Sequence, residues 1–343
     1  MKRSTRTILS LAASAALVTV PAAAFAGGNH PGIPSQVAAP YIDVTAVASI
    51  ADTSAASGAK YLSLAFLQTE APGSCDLYWA GDTTKSVASG ALGSDIARIQ
   101  RAGGDVIPSF GGYAADTTGT EIAQSCTDVS KIAAAYEKVF TTYGVSRLDF
   151  DIEADAINDT AANDRRNAAI VEVEKWADAT GRDVSFSYTL PSFPTGLAAT
   201  GVAVLQSATD AGARIASVNV MTFDYWDGVQ HDMVADAEQA VSGLADQLHA
   251  TLFPDLSRAQ LYRHEGVVQM NGYDDFGATE VFTVAQAKAF EKWAATQHLA
   301  YIGFWSLDRD HGGCDGAPHW GCSGVPQQDW AFAQAFAPFS QRR

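Results

Sequence analysis

The chain has 343 residues, with 22 Lys and Arg against 38 Asp and Glu, a formal net charge of −16. Hydrophobic residues make up 47% and charged residues 17%, a globular composition that is neither disordered nor fibrous. The acid excess leaves no basic surface to neutralise phosphates, which argues against nucleic acid and against anionic lipid as partners. A neutral or weakly cationic partner fits better.

Residues 1–26 read as a secretory signal. Lys2, Arg3 and Arg6 form the positive start, Ile8 through Val20 the apolar centre, and Ala24-Phe25-Ala26 an A-x-A cleavage site. The apolar run is too short to span a bilayer, Pro21 interrupts it, and no later segment is long enough. The expectation is a secreted, extracellular chain. Residues 27–40, with Gly28, Pro31, Gly32, Pro34 and Pro40, read as an extended leader, and 41–343 as one domain. Cys75, Cys126, Cys314 and Cys322 are an even set in an exported chain, which points to two disulfides. Cys314 with Cys322 would close a short loop and leave Cys75 with Cys126, one of three possible pairings. No C-x₂-C pair is present to favour a metal reading.

Eight strand candidates follow in chain order: 41–50, 60–67, 105–110, 147–153, 183–190, 215–225, 266–270 and 300–307. Helical periodicity fills the intervals at 95–102, 129–143, 161–180, 202–211, 234–252 and 284–297. Gly103, Gly144, Gly181 and Gly212 stand where helices stop. Strands alternating with helices predict parallel pairing through right-handed crossovers. Eight repeats predict a closed (β/α)₈ TIM barrel; an open doubly wound sheet is the alternative, but no Gly-rich phosphate loop follows the first strand.

The C-terminal ends of barrel strands carry the chemistry of this fold. On the fourth candidate strand Asp149, Asp151 and Glu153 alternate with Phe150 and Ile152, so one face holds three carboxylates and the other is apolar. Burying three acids in a row is costly unless each is protonated, paired or hydrogen-bonded. Such a row marks a site of acid–base chemistry more often than a satisfied ion network. A divalent-metal cluster is a further alternative, without the extra ligands on neighbouring strands that would strengthen it.

Asp149-x-Asp151-x-Glu153 resembles the D-x-D-x-E signature of glycoside hydrolase family 18, the chitinase family. Ser109-Phe110-Gly111-Gly112 resembles its S-x-G-G motif, and Met221-Thr222-Phe223-Asp224-Tyr225 its M-x-Y-D segment. Phe304-Trp305-Ser306 resembles the strand whose Trp floors the sugar site. The order of the four motifs agrees with that family, and the resemblance covers essentially the whole mature chain.

The resemblance implies a chitinase, endo-acting rather than exo-acting, on chitin or N-acetylglucosamine oligosaccharides, monomeric and without cofactor or metal. It implies Glu153 as general acid and base. Asp151 would orient the substrate acetamido group, and Asp149 would share a proton with Asp151. Trp305 would stack under a pyranose, with Asp224, Tyr225 and Tyr188 as substrate-binding groups and Met221 as packing around the site. Trp79, Trp226 and Trp320 are further aromatics for the cleft or the core. Two positions depart from the pattern: Ser146 stands where the signature opens with Asp, and Phe223 where M-x-Y-D has Tyr. Tyr225, two residues on, is the expected replacement hydroxyl, and carrying over Asp224 requires the backbone to turn there. An endo-β-N-acetylglucosaminidase acting on N-glycans would share the same residues. A non-hydrolytic, lectin-like chitin-binding protein is the alternative of another class, against which the retained Glu153 argues.

Overall fold

A computed structural model describes residues 32–314 and 316–341. The expected signal segment, residues 1–26, lies outside the described residues, as does the leader up to residue 31. The rest of the leader is partly sheet: Val37–Ala38 pairs in parallel with Tyr301–Ile302.

Nine parallel strands form a curled sheet, from Val37–Ala38 at one edge to Tyr41–Asp43 at the other. These edges are consecutive pieces of one segment interrupted at Ala39-Pro40. Val37–Ala38 pairs with Tyr301–Trp305, and Tyr41–Asp43 pairs with Tyr61–Gln68. The sheet therefore closes through the first strand of a TIM barrel. The second to eighth strands are Tyr61–Gln68, Asp105–Gly111, Arg147–Asp151, Ser185–Phe193, Ile215–Met221, Glu265–Met270 and Tyr301–Trp305.

The first strand lies earlier than the expected 41–50. Asp43 accepts from the Thr45 backbone amide at 2.8 Å, turning the chain, and Ser49 then caps a helix over Ile50–Ser57. The apolar Val44–Val47 stretch is consumed by this turn. Helices Val129–Tyr143 and Val284–Gln297 match expectation residue for residue, and Thr160–Thr180, Ala199–Ala211, Met233–Ala250 and Gly93–Arg101 differ only at their ends. Gly144, Gly181 and Gly212 end their helices in the left-handed conformation. The expected fourth, sixth and eighth strands ran too far: they stop at Asp151, Met221 and Trp305, where the chain enters the loops of the upper rim.

The core is divided by the strands' alternation. Phe150 and Ile152 face the helices, with Phe150 against Phe110, Tyr136 and Phe186. Within the barrel a smaller cluster joins Tyr41, Ala65, Ile107, Met221, Val268 and Tyr301, with Phe66, Phe223 and Trp305 packed on it. Additions unseen in the sequence are the short helix Gly112–Thr118 after the third strand and a hairpin, Gly272–Asp274 with Gly277–Phe282, after the seventh. The disulfides join Cys75 to Cys126 and Cys314 to Cys322, with Cα separations of 4.9 and 6.1 Å. No helix of the described residues is long and apolar enough to cross a membrane.

Candidate active site

Sheet register decides which side chains meet inside the barrel. Ser109 on the third strand lies beside Asp149 on the fourth, which lies beside Ser187 on the fifth; Asp151 lies beside Gly111 and Thr189. Neighbours in register share a face, so this row turns inward.

Asp149 is buried, and hydroxyls satisfy its carboxylate from several strands. Tyr41 and Ser109 donate to Oδ2, each at 2.7 Å, while Ser187 and Thr189 donate to Oδ1 at 2.7 and 3.1 Å. Burial raises its pKa, and the hydroxyl donors oppose that rise. Its acceptor positions are thus occupied by hydroxyls, and among the described residues no hydrogen bond joins it to Asp151. The expected shared proton is not in this arrangement. The influence of Asp149 on Asp151 is through space.

Asp151 is 5% exposed, and its Oδ1 has no hydrogen-bond partner. Burial, then the charges of Glu153, Asp149 and Asp116, hold its pKa well above the usual carboxylate range. Glu153 lies two residues beyond the strand's end and is half-buried. Burial pushes its pKa up to about 7; a bond from the Tyr113 backbone amide lowers it, and the charge of Asp224 raises it. The result is a carboxyl poised near neutrality at the rim, with the buried Asp151, its own pKa shifted upward, behind it.

The sixth strand delivers Asp224 by the required turn: φ is +55° at Asp224 and +61° at Trp226. The Asp224 amide donates to Asp274 Oδ2 at 3.1 Å, and the Asp275 amide donates to Asp224 Oδ1 at 3.2 Å. Burial, followed by Asp275, raises the Asp224 pKa to about 7. The same turn corrects the expectation for Tyr225. Strand alternation no longer applies there, and its ring packs on His231 at 4.7 Å while its amide binds Glu280. The acids acting on its hydroxyl are Asp236, Glu280, Asp274 and Asp227, not the fourth-strand trio, so Tyr225 does not replace the hydroxyl absent at Phe223.

Tyr188 requires a second correction. It pairs in register with Phe150 and therefore faces outward, fully buried, with its hydroxyl on Asn167 of helix Thr160–Thr180. It does not reach the barrel interior. Trp305 is half-buried at the rim, stacked on Phe66 with ring centroids 5.7 Å apart and 12° between planes. Met221 is packed in the inner cluster. Trp79 belongs to the outer core, where its indole donates to Tyr143, whereas Trp226 and Trp320 are exposed.

The glycines of the third strand leave room for the fourth. A Cβ on Gly111 would lie 2.3 Å from the Asp151 carbonyl oxygen, and one on Gly112 would lie 2.6 Å from the Phe66 ring; both have positive φ. Tyr41, Ser187 and Thr189 are site residues the motifs do not include, although Ser185, Ser187 and Thr189 alternate visibly along the fifth strand. Asp116 carried no sequence signal.

Among the described residues, two groups bring three ligand-type side chains together. In one, Cys314 and Cys322 are joined by a disulfide beside His319; the other, Asp227, His231 and Glu280, lies beside the sixth-strand loop. Both His231 nitrogens are taken, by Asp236 at 2.6 Å and Asp227 at 3.0 Å. Neither group includes the fourth-strand trio.

No family model matches the chain. It is 31% identical over 321 residues, 90% of its length, to a probable bifunctional chitinase/lysozyme of Escherichia coli. It spans between about a third and about half of the length of the curated relatives it matches. The crystal structure of the catalytic domain of a hyperthermophilic chitinase from Pyrococcus furiosus superposes with a TM-score of 0.78 at 30% identity, covering 90% of this chain and 96% of that one. A GH18 chitinase from Pseudoalteromonas aurantia shares the fold at 18% identity and a TM-score of 0.57, over 87% of this chain and 99% of that one.

Proposed function

Because the chain belongs to glycoside hydrolase family 18, we propose that it is a secreted, endo-acting chitinase. It hydrolyses β-1,4-linked N-acetylglucosamine polymers with retention of configuration. The observation that carries this reading is the Glu153 carboxyl at the barrel rim, raised to about 7 and backed by the buried Asp151. At neutral pH a substantial fraction of Glu153 holds a proton for the glycosidic oxygen.

Asp151 makes a poor nucleophile, because burial and then its acidic neighbours disfavour its ionised form. The attacking atom is therefore the substrate's own acetamido oxygen, which bonds to the anomeric carbon as the leaving sugar takes the Glu153 proton. This is the substrate-assisted variant of glycoside hydrolysis. Asp151 orients the acetamido group by accepting its N–H, a hydrogen bond that strengthens as positive charge develops on the oxazolinium ion. Glu153, now ionised, takes a proton from water as that water attacks the anomeric carbon from the face the leaving group vacated, breaking the bond to the acetamido oxygen and returning its electron pair to the acetamido group. Asp149 and its four hydroxyls keep the strand's interior polar and fixed, and Trp305 offers an aromatic face to the sugar. Export is supported by the character of residues 1–26 and by the two disulfides.

The test is cleavage of N-acetylglucosamine oligomers followed by NMR. The first product should be the β-anomer, and Glu153→Gln and Asp151→Asn should each lower turnover by about 10²-fold or more while oligomer binding persists. An α-anomer as first product, or efficient cleavage of an analogue lacking the acetamido group, overturns the mechanism.

A further inference from the structure

The fourth strand hands Glu153 to the rim at a defined break in its hydrogen bonding. Up to Ile152 the backbone pairs with the fifth strand, the Ile152 amide donating to the Thr189 carbonyl at 2.9 Å. The next amide, that of Glu153, leaves the ladder and donates to Asp116 Oδ2 at 2.7 Å. The chain then reverses at Ala154, where φ is +44°. Asp116 belongs to the short helix Gly112–Thr118, whose Tyr113 amide also binds the Glu153 carboxylate. One turn of chain thus holds both the backbone and the head of the acid.

We propose that Asp116 is a positioning residue for Glu153, fixing the peptide at which the strand ends and thereby the place of the acid's carboxyl. The inference rests on the reading of Glu153 as the acid and assigns its support. Asp116 is fully buried, a costly place for a carboxyl whose only task is packing. Its Oδ1 has no partner, and a Cβ on Gly111 would come within 3.0 Å of that atom, so the glycine leaves space for Asp116 as well as for Asp151.

Charged groups face Asp116 from each neighbouring element. Glu121 and Arg166 form a buried ion pair at 2.9 Å, and Glu153 and Asp151 lie on the other side. Burial, then the Glu121 charge, raises the Asp116 pKa to about 9, with Arg166 opposing. At neutral pH the group is accordingly an uncharged acceptor for the Glu153 amide, and an asparagine side chain offers the same acceptor oxygen.

Kinetics on N-acetylglucosamine oligomers with Asp116→Ala, Asp116→Asn and Glu153→Gln test this. Asp116→Ala should lower kcat about 10- to 100-fold with KM within about 3-fold, the loss of one buried hydrogen bond felt at the reacting group. Asp116→Asn should restore most of that kcat and leave the alkaline limb of the pH profile in place, which a merely structural role would not require. A folded Asp116→Ala enzyme with kcat within about 3-fold of wild type overturns the proposal. So does a folded Asp116→Asn enzyme that lacks turnover, the decisive variant if the alanine form does not fold. A displaced alkaline limb in Asp116→Asn would mean an ionised Asp116 and also overturns it. Glu153→Gln separates the two claims: if it is active, the reading of the acid fails; if it is inactive while Asp116→Ala is active, only the positioning role fails.

Discussion

The Tyr41 hydroxyl donates to Asp149 Oδ2 at 2.7 Å from the strand that closes the barrel, 108 residues away in sequence. Asp149 is buried, so each of its donors offsets part of the cost of placing a carboxylate there. Tyr41→Phe removes one donor without changing the ring. It should lower stability by about 1.5–3 kcal/mol in urea unfolding at pH 7, the range for a hydrogen bond to a charged group. An unchanged midpoint would mean that this hydrogen bond adds no net stability to the fold.

The pH dependence of turnover should identify the acid. Glu153 works protonated, and its pKa is raised to about 7, so kcat/KM should fall as pH rises through that value. The Asp224 charge contributes to the rise. Asp224→Asn removes that charge, Glu153 becomes easier to ionise, and the alkaline limb should move to lower pH whatever happens to the maximum rate. A limb that stays in place or moves upward contradicts the coupling.

Glu265 makes a separate prediction about stability. It is fully buried at the start of the seventh strand, and neither carboxylate oxygen has a hydrogen-bond partner. Burial raises its pKa well above the usual value, opposed by Arg258. The folded state therefore holds this proton more tightly than the unfolded chain does. Its contribution is fully present below the unfolded pKa and is lost as pH rises through the folded one. Glu265→Gln, which cannot ionise, should flatten this dependence: the variant should gain on the wild type between pH 4 and pH 8 by about 1–3 kcal/mol. Denaturant midpoints at the two pH values provide the measurement, and equal differences at both would refute it.

Gly111→Ala should damage stability and turnover together. Its Cβ would meet the Asp151 carbonyl oxygen at 2.3 Å, in a backbone conformation with φ of +90°. Overpacking of this kind costs about 1–3 kcal/mol, before the strain of a positive φ is added. Thermal unfolding and oligomer turnover should both fall, and full activity in a stable variant would show that the strand ends tolerate separation.

What the sequence determined by itself was periodic or local. The alternation of Asp149, Asp151 and Glu153 with Phe150 and Ile152 sorted acids from apolar residues because side chains on a strand alternate faces, and glycines such as Gly144 and Gly181 marked helix ends because they accept a left-handed backbone. Eight strands and six helices between them were legible for the same reason, whereas the helix Ile50–Ser57 was hidden within the expected first strand. Tertiary structure decided whatever depends on a partner distant in sequence. Pairing register put Tyr188 beside outward-facing Phe150, and a turn at Asp224 carried that carboxyl toward Glu153 while sending Tyr225 to His231. The end of the fourth strand was set by a bond from the Glu153 amide to Asp116, across 37 residues of chain. Which amide finds which acceptor is fixed only when the strands close, because the alternatives are equivalent until the barrel excludes water from all but one of them.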